Sequence, residues 1–156
     1  MLMTKLECIE KQLHESNIHV YNFRISNTKK AMCFDDSGYK CIAIDNVALE
    51  SCAEQVTILA EELGHFETGT LYTIRSTYNT PIARSNRIKL EGLAKQWAIK
   101  RYLPAKDIET AMQDSLGDIH LAAENCQITV EFFNEAIEYY RSAGTAFSFD
   151  CDMEAL

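Results

Sequence analysis

The chain has 156 residues, of which 47% are hydrophobic and 24% charged, a size and composition suited to one compact domain with a buried core. A formal net charge of −8 argues against nucleic acid as a partner, because binding to the phosphate backbone needs clustered lysine and arginine, and only short basic clusters occur, at 84–87 and 95–101. No run approaches the roughly 20 apolar residues of a membrane span, no signal-peptide stretch opens the sequence, and the six cysteines lack C-x-x-C spacing, which together predict a soluble, cytoplasmic protein with reduced thiols.

Residues 4–16 place Leu6, Ile9 and Leu13 at helical spacing and stop near Asn17, which predicts an amphipathic helix. Three β-prone runs follow at 19–23, 31–34 and 39–44. The last two are separated by Asp35-Asp36-Ser37-Gly38, a turn-rich tetrad that predicts a hairpin and, with the first run, a small antiparallel sheet. From about residue 46 or 51 to 67 the pattern becomes helical, with Ser51-Cys52-Ala53-Glu54 available as a capping box. Cys52, Val56, Leu59, Leu63 and Phe66 gather on one stripe of this helix, and Glu54, Ile58, Glu61 and His65 on the opposite side. Ala53, Thr57, Ala60 and Gly64 flank that second side and leave room for another element. Glycine inside a helix costs up to about 1 kcal/mol relative to alanine, so Gly64 needs a packing or functional reason.

Residues 69–84 are polar and turn-prone and read as a loop. A second strong helix spans about 86–102 and stops before Pro104; its apolar stripe is Leu90, Ala94 and Trp97. Glu91 lies at the edge of that stripe, where its carboxylate either projects towards the preceding helix or pairs with Lys95 one turn on. Helices are then expected at 107–116, 118–125 and 129–142, the last with Thr129 as N-cap and Ile128 with Phe133 as a hydrophobic staple. Two short helices around 126–128 suggest a helix-turn-helix, but Glu131, Glu135 and Glu138 would repel DNA, so this part reads as packing or partner binding. Residues 144–156 read as a frayed tail.

The five residues Glu61-Glu62-Leu63-Gly64-His65 have the spacing of the H-E-x-x-H motif with glutamate in place of the first histidine. Side chains at i and i+4 lie one above the other and can grip a metal, while the glutamate beside the first activates water. Glutamate oxygen can replace imidazole as a ligand. The bland alternative is a solvated acidic helix face. A further acid near Glu61 and Glu62 would be repelled unless a cation sits between them.

Three stretches in this order resemble the ImmA/IrrE family of metallo-endopeptidases, in its prophage-associated form: the run 59–68 around the motif; Glu91-Gly92-Leu93-Ala94-Lys95-Gln96-Trp97-Ala98 running to Leu103-Pro104; and Ile128-Thr129-Val130-Glu131-Phe132-Phe133 with 136–141. The resemblance implies an α+β fold, with the small sheet packed on a zincin-like motif helix in a peptidase unit at 1–104, a helical extension at 105–143 and a flexible tail at 144–156. It implies Glu61, His65 and Glu91 as ligands of a divalent metal, zinc or a harder ion such as manganese or iron, and Glu62 as catalytic base. It further implies a helix-turn-helix repressor of a prophage or other mobile element as the protein substrate; the alternative is an inactive member that binds a repressor without cutting it. An exposed strand at 39–44 could align an extended substrate. Tyr72, Tyr78 and His120 could stabilise an oxyanion or simply pack, and His14 and His19 are assigned to surface or strand packing.

Overall fold

Thr4 caps the first helix: its hydroxyl accepts from the Glu7 amide while the Glu7 carboxylate takes the Thr4 amide, so two orphan donors are satisfied reciprocally. The helix, α1 (Lys5–Glu15), buries Ile9 and Leu13 and ends at Ser16. It leads into β1 (Ile18–Asn22), β2 (Ala31–Asp36) and β3 (Tyr39–Ile44), followed by α2 (Cys52–Thr68), α3 (Pro81–Tyr102), α4 (Ala105–Asp114), α5 (Ile119–Asn125) and α6 (Val130–Ser142). This computed structural model describes residues 3–25, 29–71 and 81–150. The fold is α+β, a small sheet followed by a helical C-terminal half. Among the described residues no helix is long and apolar enough to cross a membrane, and Cys8, Cys33, Cys41, Cys52 and Cys126 are thiols.

The hairpin forms as expected, β2 antiparallel to β3, across a two-residue turn in which Ser37 (φ 55°) and Gly38 (φ 92°) are both left-handed. Asp35 accepts the Gly38 amide at 2.9 Å. The sheet as a whole is mixed, not antiparallel. Its order is β1-β3-β2, and β1 runs parallel to β3, Ile18 opposite Lys40 through Asn22 opposite Ile44. The chain leaves β1, passes across the end of the sheet and enters β2 on the far side, so β3 is central and 39–44 offers no edge. The Phe23 amide to the Ile44 carbonyl and the Asp45 amide to the Lys30 carbonyl, both 2.9 Å, tie this crossing down.

Ser51 caps α2 by accepting the Glu54 amide. Glu54 does not complete a capping box; its carboxylate takes the Glu50 amide at 2.7 Å and Lys30 at 2.6 Å, which joins the start of β2 to the start of α2. Val56, Leu59 and Leu63 of α2 enter the core with Ile42, Ile44, Ile9 and Leu13. Cys52, expected on that stripe, is exposed in the first turn. Helix α3 begins five residues earlier than the spacing suggests, because proline fits the first turn of a helix and Pro81 stands there, not in a turn. The rest of the expected 69–84 loop, with Tyr72 and Tyr78, lies largely outside the described residues. Helix α4 likewise starts directly after Pro104.

Helices α4, α5 and α6 close the core through Ile108, Ala122, Phe132, Phe133 and Ala136. The Thr129 hydroxyl caps α6, and the Thr129 amide donates to the Thr57 hydroxyl at 3.2 Å, tying α6 to α2. Residues 144–150 are packed, not frayed: Phe147 is 3% exposed, Asp150 pairs with Arg141, and the Ser148 amide donates to Glu109. Burial of one aromatic ring contributes about 2 kcal/mol to holding the segment, beside its contacts with Arg141 and Glu109. Residues 151–156 lie outside the described residues.

The closest approach is between α2 and α3, which pack antiparallel. A Cβ built on Gly64 would lie 2.4 Å from the Ala94 carbonyl oxygen and 3.0 Å from its carbon. Gly64→Ala should therefore destabilise the protein by about 2 kcal/mol or more, although alanine is the better helix former by about 1 kcal/mol. Denaturant unfolding checks this; an unchanged or raised stability would mean the helices are not in contact there.

Candidate active site

The Gly64 contact sets a register of two rungs between α2 and α3. His65 lies opposite Glu91 and Glu61 opposite Lys95, each pair joining residues four apart on one helix to residues four apart on the other. In the first rung, His65 Nε2 is 3.1 Å from Glu91 Oε2. His65 is 4% exposed, while the Glu91 side chain remains about half exposed, at 48%, at the mouth of the cleft. Burial opposes a charged imidazole, but the Glu91 hydrogen bond and the nearby Glu62 and Glu91 charges outweigh it and hold the His65 pKa above its usual value.

The other ring nitrogen is fixed by the segment after α2. Gly69 ends the helix in a left-handed conformation (φ 66°), which turns the chain so that the Thr70 amide returns to the His65 carbonyl at 3.0 Å. His65 Nδ1 then lies 2.9 Å from Thr70 Oγ1 and 3.2 Å from the Thr70 carbonyl. Thr68 Oγ1 donates to the Gly64 carbonyl at 2.7 Å, so its contact with Thr70 Oγ1 at 2.8 Å must be donated by Thr70. The Thr70 oxygen is left to accept from His65, as the Thr70 carbonyl must. Both demand a proton on Nδ1, while the Glu91 carboxylate accepts one from Nε2, so the imidazolium meets all three contacts; on losing a proton the ring would keep the one on Nδ1 that Thr70 holds and free Nε2.

Glu62 points to a different neighbour, the sheet. Cys33 of β2 lies near it, and burial raises the Glu62 pKa, opposed by Cys33 and by His65. The same burial and the Glu62 charge push the Cys33 thiol far up, so it stays protonated and can donate. In the second rung, Lys95 Nζ is 3.6 Å from Glu61 Oε1 and 2.8 Å from the Glu135 carboxylate on α6. Burial raises the Glu61 pKa to about 7, with Lys95 pulling the other way.

The four sequence-predicted residues thus fall into two groups. His65, Glu91 and Glu62 face one cleft, whereas Glu61 faces Lys95; among the described residues no three His, Cys, Asp or Glu side chains converge closely enough to share an ion. The His65–Glu91 rung itself suits a metal. Two ligands each about 2.0–2.1 Å from one ion and 3.1 Å apart subtend roughly 100°, near the tetrahedral angle, and Nε2 could ligate once it gives up the proton it shares with Glu91. Glu91 is drawn to His65, and Lys95, its possible local partner, is taken by Glu61 and Glu135. His120 is exposed on α5, a helix that packs against α4 and α6. His14 is exposed, and His19 stacks on Tyr39 at 5.1 Å between ring centres on the outer face of the sheet. Thr68, Thr70, Cys33 and Glu135 carry no motif; the left-handed Gly69 followed by threonine is the one local signal.

No family model, curated protein or solved structure matches the chain.

If Thr70 fixes the imidazole, Thr70→Val should weaken divalent-metal affinity by about tenfold, the low end for such a supporting partner because the Thr70 carbonyl remains. Long-range proton–nitrogen spectra of the metal-free protein above the His65 pKa should show Nδ1 protonated; a neutral imidazole protonated on Nε2 contradicts the assignment.

Proposed function

We propose that the chain is a metal-dependent endopeptidase of the ImmA/IrrE type that cleaves a helix-turn-helix repressor of a prophage or related mobile element in the cytoplasm. The observation that carries the reading is the His65–Glu91 rung with Glu62 one helical step away: an imidazole and a carboxylate from two helices at the spacing of two ligands on one ion, beside a desolvated second carboxylate. His65 and Glu91 would hold a divalent ion, with Glu61 as third ligand once released from Lys95. The ion supplies Lewis acidity, polarising the scissile carbonyl and lowering the pKa of water. One nitrogen and two carboxylates suit zinc, and also harder ions such as manganese or iron.

Glu62 acts as the base. Burial raises its pKa above the usual carboxylate value, which makes it a stronger base towards water and lets it pass the proton to the leaving amine. The Cys33 thiol, kept protonated, orients the Glu62 carboxylate without competing for the proton. Strand β3 is central and β1 and β2 are the edges; of these, β2 (Ala31–Asp36) is the one that carries Cys33 past Glu62 and could align an extended peptide there. A peptide added along that edge would run its backbone past the base. The net charge of −8 suits a basic, DNA-binding substrate better than DNA itself.

A second reading, a metal-free family member that binds a repressor without cutting it, draws on the Lys95–Glu61 pair, which neutralises Glu61 with no ion. Metal analysis and cleavage separate the two. On the peptidase reading the purified protein takes up one divalent ion, His65→Ala loses it, and Glu62→Gln keeps it while slowing cleavage of the co-expressed neighbouring repressor by about a hundredfold or more. Full activity in Glu62→Gln rules out the assigned base, and wild type that takes up no metal favours the binder.

A further inference from the structure

The side chain that would complete the metal site is closed off by a cation from the chain itself. Lys95 stands one turn beyond Glu91 on α3, 3.6 Å from Glu61 and closer, at 2.8 Å, to Glu135. We propose that Lys95 is an internal counter-ion that holds Glu61 in the metal-free protein and must pass wholly to Glu135 before Glu61 can join His65 and Glu91, so that α6 sets the metal affinity. The inference rests on the peptidase reading and adds a control element to it.

Three features carry it. Lys95 is already shared between two carboxylates, so release from Glu61 shortens no new contact and needs only a small rotation of a flexible stem. The acceptor is on a rigid support: α6, which carries Glu135 on its exposed side, buries Phe132, Phe133, Ala136 and Ile137, and is tied to α2 through the Thr129 and Thr57 hydrogen bond. There is also room. A groove of about 360 Å³ between α3 and α6 is lined by Gly92, Lys95, Gln96, Glu135, Glu138 and Tyr139, and a Cβ on Gly92 would meet nothing within 4 Å. The withdrawn ammonium would thus lie in an acidic groove, away from the incoming ion. While it stays on Glu61, its charge repels a divalent ion at the next rung.

Competition titration of Mn²⁺ and Zn²⁺ against a chromophoric chelator tests this with variants of opposite expected sign. Lys95→Met, which keeps the apolar stem, should bind metal about tenfold more tightly than wild type, and Lys95→Arg should stay near wild type. Glu135→Gln leaves Lys95 with Glu61 alone and should bind about three- to tenfold more weakly; in the double variant that loss should vanish. A role of Lys95 in packing alone would weaken binding in Lys95→Met and leave the two substitutions additive. Glu135 is an exposed position, so its variant decides the matter even if Lys95→Met fails to fold. Metal binding in wild type with no tightening in Lys95→Met, or no weakening in Glu135→Gln, overturns this inference alone. Absence of binding in wild type and every variant overturns it together with the peptidase reading.

Discussion

Everything at the candidate site depends on the approach of two helix backbones at Gly64. Without a side chain there, the Ala94 carbonyl oxygen comes within 2.4 Å of where a Cβ would stand, and α3 packs antiparallel against α2. Register follows from contact. Once Gly64 meets Ala94, the helical repeat places His65 opposite Glu91 and Glu61 opposite Lys95. The helix-propensity penalty of glycine is small beside the positional information it provides.

A second consequence is that two adjacent carboxylates on one helix experience unlike surroundings. A step of 100° turns Glu62 towards Cys33 on the sheet and Glu61 towards α3 and α6. Both are desolvated and both are raised, yet Glu61 has an ammonium at hand while Glu62 has a neutral thiol and an imidazole. Neighbouring acids whose environments differ in this way are suited to different roles, one to hold charge and one to exchange protons. On the peptidase reading that division matches the ligand and the base.

Much of the local structure was legible in the sequence because its causes are local. Ser51 and Thr129 cap the helices they precede, the Ser37-Gly38 turn closes its hairpin, and Gly64 beside the motif receives another helix. What was not legible depends on contacts across the chain. The parallel pairing of β1 with β3 follows from how the chain crosses the sheet end, which alternation within a strand does not encode. The packing of 144–150 turns on one phenylalanine finding the core. At the site, Glu91 takes one of the two places the sequence left open and meets His65, but Lys95 is drawn from its local neighbour to Glu135, forty positions away, and the hydroxyl contacts at His65 Nδ1 become visible only once Gly69 has turned the backbone.

The charges suggest how one cleft could be stable both with and without a metal. Without one, the carboxylates of Glu61 and Glu91 are faced by two monovalent cations: the Lys95 ammonium, and the His65 imidazolium favoured by Glu91 and Glu62. On the peptidase reading, a divalent ion held by His65, Glu91 and Glu61 would need the Nε2 lone pair and a free Glu61 carboxylate, so the imidazole would give up its proton and the ammonium would move to Glu135. Two positive charges would leave the pair of carboxylates and two would arrive. Because the exchange is electrically even, neither state buries an uncompensated charge, and the balance between them is left to geometry: the distance from Lys95 to its second acceptor on α6, and the tautomer that Thr70 holds on His65.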